Sequence, residues 1–214
     1  MTVSQTVFGG SAVVESTLNW SPQQFDRQGG SAAYFYNDKK LYQAYYDEFV
    51  RSQRQVAATT VTNSTGWRTA GQAVSYAFDP SAVMTDPITN ELTTLVCRPG
   101  DYVEVVNANV TRGRLVRQLN RLRAEGCAVR IITEQFFRPD AALYGVRHMT
   151  THDKFVLVKA HTRSGAVTRE VMTGSEDYRP SSMVLAEEQL VRIRLGSVVN
   201  AYASWFAQLW KQSS

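Results

Sequence analysis

The sequence predicts an α/β protein that contains parallel strands and an internal repeat. Residues 102–108 and 128–133 are rich in branched apolar side chains, as strands are, and residues 112–125 between them have an apolar stripe at helical spacing. A helix that connects two strands over so short a distance implies a parallel pair joined by a right-handed crossover. The third observation is that the end of the chain resembles its beginning, in both content and spacing.

The first 55 residues predict two strands and a helix. Residues 7–14 form a strand pattern that ends in the polar turn Ser16-Thr17-Leu18-Asn19, and residues 33–36 form a second, shorter one. Residues 39–52 predict a helix, because Leu41, Tyr45 and Phe49 recur at four-residue spacing. Residues 56–69 are rich in Thr and Ala and lack periodicity, which indicates a linker.

After this linker the pattern alternates between strands and helices. A helix starts at Asp86-Pro87 and runs to about Val96, since proline suits the first helical turn. Thr111 is the expected N-cap of the next helix, and Gly126 its end. Apolar runs predict strands at residues 75–78, 154–158, 167–172 and 189–194, and a last helix from about Val198. In that last helix Val198, Tyr202, Trp205 and Leu209 share one face and are expected in the core.

Composition is that of an ordinary soluble protein. The chain has 214 residues, of which 43% are hydrophobic and 20% charged, with a net charge of +4. It has no apolar run as long as the roughly 18 residues of a membrane span, and its first residues do not resemble a signal peptide. The positive charge weakly favours anionic partners.

Two features keep alternative interpretations open. Five arginines, Arg112, Arg114, Arg117, Arg121 and Arg123, form either the solvated face of a helix or a patch that attracts phosphates. Cys97 and Cys127 lack the paired spacing of a zinc site and are either buried thiols or one disulfide. No metal site is therefore expected.

The repeat links two turns to two helices. Asn19 precedes Ala44-Tyr45 by 25 residues, and Asp177 precedes Ala201-Tyr202 by 24. The second copy also contains His152-Asp153-Lys154, which stands 25 residues before Asp177. The same distance before Asn19 lies about six residues ahead of Met1, so we expect the first copy to lack its His-x-Lys in this chain.

His152 and Lys154 are the strongest candidates for chemistry. Residues two apart on a strand point to the same face, with Asp153 opposite. A phosphate ester needs a nucleophile or proton donor that works near neutral pH and a fixed positive charge for its non-bridging oxygens. Ser175, in a turn led by Gly174, could add a hydroxyl donor. The alternative is an exposed polar strand end.

These residues resemble the phospholipase D superfamily, whose signature is His-x-Lys-x(4)-Asp followed by Gly-Ser-x-Asn. His152-x-Lys154 and Gly174-Ser175 match it, and Glu187-Glu188 resembles an acidic pair that the family often has before its next strand. The resemblance implies a mixed, largely parallel sheet flanked by helices and one active site at a pseudo-twofold interface. It also implies a phosphohistidine intermediate without metal or cofactor. It assigns residues 1–55 to the tail of a first repeat, 56–74 to a linker and 75–214 to a complete second repeat.

The resemblance also implies roles for individual residues. His152 corresponds to the general acid of the second half, Lys154 to a phosphate-binding lysine and Ser175 to the turn serine. Asn19 and Thr17 correspond to the asparagine and serine of the first-half turn, and Glu188 is a supporting acid. The chain departs from the pattern at Asp177, where the turn has asparagine, and at Lys159, where the motif has aspartate. Asp177 should repel phosphate unless Lys154 or Lys159 neutralises it.

The resemblance implies three alternative functions. The first is a phosphodiesterase that is incomplete or weakly active as this chain, either as a homodimer or with a missing N-terminal half. The second is a non-catalytic module that binds phosphate-bearing ligands or a partner, and the third is a nuclease that acts as a dimer. The substrate is a phosphodiester, either phospholipid or nucleic acid. His148 and His161 are expected to be surface or loop residues. A leader on a missing N-terminal part would make the protein secreted, and otherwise it is cytoplasmic.

Overall fold

The structure is a computed structural model that describes residues 2–5, 10–18, 29–54, 66–80, 85–136 and 145–214. Its strands are β1 Thr2–Gln5, β2 Ser11–Ser16, β3 Ala32–Tyr36, β4 Arg68–Thr69, β5 Val74–Phe78, β6 Leu95–Val96, β7 Tyr102–Val106, β8 Asn109–Val110, β9 Ala128–Thr133, β10 Gln135–Phe136, β11 Gly145–His148, β12 Phe155–Thr162, β13 Val167–Gly174 and β14 Gln189–Ile193. Its helices are α1 Lys39–Arg54, α2 Pro87–Thr93, α3 Gly113–Ala124, α4 Pro180–Leu185 and α5 Gly196–Gln212.

A nine-stranded mixed sheet forms the centre of the molecule. The strand order is β11-β9-β7-β12-β13-β14-β5-β4, and β6 adds to β12. Strand β9 is parallel to both β7 and β11, so the predicted strand–helix–strand unit is confirmed. The expected mixed sheet is confirmed, but its course is not largely parallel, because the other described pairings in this sheet are antiparallel. One reason is local, since a tight turn joins β12 directly to β13 and forces them to run in opposite directions.

Helices cover both faces of this sheet, as predicted. Side chains alternate along the strands, so Val156 and Val158 face one layer while Phe155 and Leu157 face the other. Helices α2 and α3 pack on the first face, and Leu115, Val116, Leu119 and Leu122 are the buried stripe of α3. Helix α5 packs on the second face through Val199, Tyr202, Phe206 and Leu209.

A smaller unit repeats part of this architecture. Strands β1, β2 and β3 form an antiparallel sheet followed by α1, in the same order as β12, β13 and β14 followed by α5. Tyr45 of α1 is fully buried and packs edge-on against Phe78, with ring centroids 5.1 Å apart. The small unit therefore shares a core with the face of the large sheet that α5 covers.

Several predicted boundaries differ from the observed ones. The first predicted strand lies at Ser11–Ser16, and residues 6–9 are outside the described part of the chain. The helix capped by Asp86 ends at Thr93 instead of continuing to Val96, which belongs to β6. Thr111 does not cap α3, because Arg112 takes the N-cap position and the amide of Thr111 bonds to the carbonyl of Tyr178 instead. Gly126 ends the helix as predicted, with a φ of +107°.

The predicted linker is partly structured. Residues 68–69 form β4 and pair with β5, so they belong to the large sheet, whereas residues 55–65 lie outside the described part. Cys97 and Cys127 form a disulfide that joins the end of β6 to the start of β9, which resolves the two alternatives left open by the sequence. Within the described residues, no helix has the length and apolarity needed to cross a membrane.

Candidate active site

The side chains of His152 and Lys154 meet where the two units join. Both residues lie in the segment between β11 and β12, just before β12, and Lys154 Nζ is 3.2 Å from His152 Nδ1. The amide of His152 donates to the carbonyl of Gly29 at 2.8 Å, and its Nδ1 bonds to the carbonyl of Thr17. The small unit thus holds the histidine through two backbone oxygens.

The bond to Thr17 determines which ring nitrogen of His152 is available for chemistry. A carbonyl oxygen only accepts hydrogen bonds, so the bond to Thr17 requires a proton on Nδ1, and the contact between Nδ1 and the Lys154 ammonium, which is itself a donor, is then not a hydrogen bond. In the neutral ring the lone pair then lies on Nε2. Nε2 is therefore the atom of His152 that can attack phosphorus or, once protonated, donate to a leaving group.

Lys154 is nearly buried and faces a carboxylate. Its Nζ lies 3.2 Å from Asp177 Oδ1, and its side chain is 4% exposed against 23% for Asp177. Asp177 follows β13 at the turn where the repeat predicted a phosphate-binding residue. Lys159 does not share this role, because its Nζ donates to the carbonyl of Gly100 at the far end of β12.

Ser175 is bonded to Glu188. The hydroxyl of Ser175 donates to Glu188 Oε2 and accepts from the amide of Gln189 at 3.2 Å. Burial raises the pKa of Glu188, and the hydrogen bond from Ser175 opposes that rise. Gly174 permits this close approach, since a Cβ there would lie 2.0 Å from the carbonyl oxygen of Gln189.

The turn that presents Asp177 is clamped from the end of β7. Asn107 is fully buried; its amide nitrogen donates to the carbonyl of Glu176 at 3.0 Å and its amide oxygen accepts from the amide of Tyr178 at 3.2 Å. Arg112 forms buried ion pairs with Glu176 and with Asp86, the latter at 3.1 Å. One interpretation of the arginine series placed Arg112 on the solvated face of a helix. Arg112 is instead buried, because it is paired with two buried acids.

Of the first-half turn residues, Thr17 reaches the site through its backbone. Its hydroxyl accepts from the amide of Ser31 at 3.0 Å and its side chain is buried, while its carbonyl faces His152. Asn19 lies outside the described residues. The structure thus connects His152, Lys154, Asp177 and Thr17 directly. Ser175 and Glu188 adjoin them and line a pocket of about 400 Å³ together with Glu48, Phe49, Ser52, Phe78, Glu187 and Gln189.

Two acids beside the site are buried, which the sequence patterns did not predict. Asp153 is fully buried and accepts from the indole of Trp205 at 3.1 Å, and burial raises its pKa. Glu15 accepts from the hydroxyl of Tyr45 at 2.7 Å. The repeat aligns Tyr45 with Tyr202, but the spacing of the repeat does not show that Tyr45 donates a hydrogen bond to an acid.

The other two histidines lie on β11 and on the far half of β12. His148 pairs its backbone with that of Ser214, and its side chain is exposed. His161 Nδ1 lies 2.7 Å from Asp101 Oδ2. His161 is therefore a partly buried strand residue, contrary to the loop expected for it.

Comparison with known proteins shows similarity at the level of structure. No family model matches the chain, and no curated protein is similar to it in sequence. Polyphosphate kinase from Porphyromonas gingivalis aligns with a TM-score of 0.64 and 13% identity over 94% of this chain and 30% of that one. Phosphatidylserine synthase from Haemophilus influenzae Rd KW20 aligns with a TM-score of 0.59 and 13% identity over 95% of this chain and 61% of that one. NucT from Helicobacter pylori aligns with a TM-score of 0.50 and 9% identity over 65% of this chain and 98% of that one.

The chain therefore shares the fold of the matched polyphosphate kinase and phosphatidylserine synthase. This confirms the fold that the His-x-Lys and Gly-Ser motifs implied. The chain spans 61% of the matched phosphatidylserine synthase and 30% of the matched polyphosphate kinase. At 9% to 13% identity these alignments describe the fold alone.

Proposed function

We propose that the chain carries half of a phosphodiesterase site of the phospholipase D type, with His152 and Lys154 as its reacting pair. One observation supports this most strongly. The two side chains meet at the junction of the repeated units, with His152 Nδ1 bonded to Thr17 and Nε2 left for chemistry. Ser175, Asp177, Thr17, Asn19 and Glu188 are the proposed surroundings of the phosphate.

The proposed reaction has two steps. A histidine Nε2 attacks phosphorus, the bond from phosphorus to the leaving oxygen breaks, and an acid on the opposite side protonates that oxygen. Water then cleaves the nitrogen–phosphorus bond, which releases a phosphomonoester and restores the histidine. Lys154 would neutralise a non-bridging oxygen in both steps. By resemblance His152 is the acid of the first step.

The second histidine of this scheme must come from elsewhere. The sequence contains one His-x-Lys, because Thr162 and Arg163 follow His161, and Met149 and Thr150 follow His148. We propose that a second copy of the chain, or a polypeptide segment ahead of β1, supplies it. The substrate would be a phospholipid or nucleic acid diester.

A chromogenic diester tests this proposal. Hydrolysis of bis(4-nitrophenyl) phosphate by wild type should be lost in His152→Asn and strongly reduced in Lys154→Ala, but unchanged in the control His161→Asn. Quenching with denaturant at alkaline pH during turnover should trap a phosphorylated histidine, because the nitrogen–phosphorus bond survives in alkali and is cleaved in acid, and EDTA should have no effect. Equal turnover by wild type and His152→Asn would refute the proposal.

A non-catalytic phosphate-binding module is the second candidate. It is favoured by the single His-x-Lys of the sequence, because binding through Lys154 does not need the second histidine that an in-line displacement requires. Binding of a diester that needs Lys154, without turnover at any protein concentration, would distinguish this module from an enzyme.

A further inference from the structure

Negative charge surrounds the one buried lysine of the site. Asp177 Oδ1 is 3.2 Å from Lys154 Nζ, and the electrostatic influence of both Asp177 and Lys154 reaches Glu188. The hydroxyl proton of Ser175 is directed at Glu188 and is not free for a ligand. Within the described part of the site, the lysine that a phosphate would meet is therefore already paired.

Neighbouring arginines of the described residues do little to offset the negative charge around Lys154. Arg112 is buried between Asp86 and Glu176. Arg51, beside the adjoining pocket, pairs with Glu48 and Glu187. The Nε of Arg179 donates to Ser182, and its charge acts on Glu188. Because the side chain of Lys154 is 4% exposed, charges around it are poorly screened by water.

We propose that Asp177 makes this site selective for singly charged phosphodiesters and excludes doubly charged phosphomonoesters. This inference rests on the proposed function, because it assumes that phosphate binds at Lys154. A diester places one negative charge beside the Lys154–Asp177 pair, while a monoester above its second pKa of about 6 places two. Coulomb energies scale with the charge of the ligand, so the contribution of Asp177 disfavours the monoester twice as strongly as the diester.

The selection also suits the chemistry. In the reaction proposed above, hydrolysis of a diester yields a monoester, so a site that repels dianions would release its product. Asparagine at position 177 would keep the size of the side chain and lose the charge. The test therefore removes the charge of Asp177 and keeps the shape of its side chain.

The test compares two ligands and three proteins at pH 8. Phenyl phosphate and ethyl phenyl phosphate share a ring and differ by one charge, and NMR titration gives their dissociation constants. The proteins are wild type, Asp177→Asn and the control Asp47→Asn, since Asp47 is an exposed acid of α1 that bonds to Gln43. We expect wild type and Asp47→Asn to prefer the diester at least tenfold. Asp177→Asn should bind the monoester at least tenfold more tightly, with less than threefold change for the diester.

Further variants separate the possible failures. Lys154→Ala should abolish diester binding, and Asp177→Ser guards against a folding defect specific to asparagine. If the diester binds through Lys154 but neither Asp177 variant alters the preference, the charge selection is wrong and the proposed function stands. If neither ligand binds wild type or the folded Asp177 variants, the proposed phosphate site is wrong, and the selection with it.

Discussion

Glu15 shows at the scale of one residue how burial changes chemistry. Its side chain is 1% exposed, and Tyr45 donates to Oε2 at 2.7 Å. Within the described part of the chain, Oε1 is buried without a hydrogen-bond partner. Burial raises the pKa of Glu15 to about 8, and the bond from Tyr45 only partly opposes the rise. The carboxyl is therefore mostly neutral at pH 7.

Replacing Glu15 should change how stability depends on pH. The folded protein holds this proton up to about pH 8, whereas an unfolded glutamate loses it near 4.5. The stabilisation is therefore complete below pH 4.5 and is lost as pH rises through about 8. The glutamine of Glu15→Gln stays neutral at every pH. Between pH 5 and pH 9, the fall in its free energy of unfolding should therefore be smaller than that of wild type by roughly 2 kcal/mol or more.

Urea unfolding at pH 5, 7 and 9 checks this expectation. The control is Glu125→Gln on the exposed end of α3, which should follow wild type at each pH. If the free energy of unfolding of Glu15→Gln changes with pH as that of wild type does, Glu15 ionises normally in the folded protein.

At the scale of elements, Asn107 connects the end of β7 to the turn before α4. Its amide bonds to both Glu176 and Tyr178, and the side chain is fully buried. Asn107→Ala leaves a carbonyl and an amide unpaired in the core, which should cost about 1–3 kcal/mol for each group. The turn also presents Asp177 to Lys154, so ligand binding should weaken as well.

Chemical unfolding together with diester titration tests this role of Asn107. Asn200→Ala, on the exposed face of α5, is the matched control and should stay within about 0.5 kcal/mol of wild type. An unchanged free energy of unfolding in Asn107→Ala would contradict this stabilising role of Asn107.

The disulfide is a second connection between elements. It links Cys97 after β6 to Cys127 before β9, across a separation of 30 residues. Replacing both cysteines with serine should lower the free energy of unfolding by about 3–4 kcal/mol, mainly because the unfolded chain gains freedom. Wild type in reductant should match the double variant, and identical urea midpoints for all forms would contradict a stabilising bond. Disulfides persist in oxidising compartments, which favours the secreted alternative.

At the scale of the whole molecule, the two units share one core but contribute unequally to the site. The small unit supplies backbone carbonyls from Thr17 and Gly29, while the large unit supplies His152 and Lys154. An in-line displacement requires a nucleophile and an acid on opposite sides of phosphorus. One His-x-Lys cannot provide both.

We therefore expect the isolated monomer to be poorly active. Turnover of a chromogenic diester should rise more than linearly with protein concentration if a second copy completes the site. Light scattering under assay conditions identifies the active species. Robust turnover by a species shown to be monomeric would refute this prediction.

Local sequence patterns determined much of the architecture. The apolar stripe of α3, the stop at Gly126 and the strand–helix–strand unit were predictable, because side-chain periodicity and glycine geometry act within a few residues. The repeat spacing and the two motifs also led to the expectation of a mixed sheet flanked by helices. The closeness of His152 and Lys154 was also predictable, because they are two residues apart at the start of a predicted strand.

Only the tertiary structure decided the partners of distant residues. Arg112 meets Glu176 across 64 residues, Glu15 meets Tyr45 across 30, and His152 meets the carbonyl of Thr17 across 135. Apart from the hairpin of β12 and β13, the antiparallel course of the large sheet likewise depends on pairings that no local pattern specifies. The sequence sets which side chains are available and which way each segment tends to fold. Burial and charge pairing exist only after distant segments meet, so the pairing of Lys154 with Asp177 had to come from the folded chain.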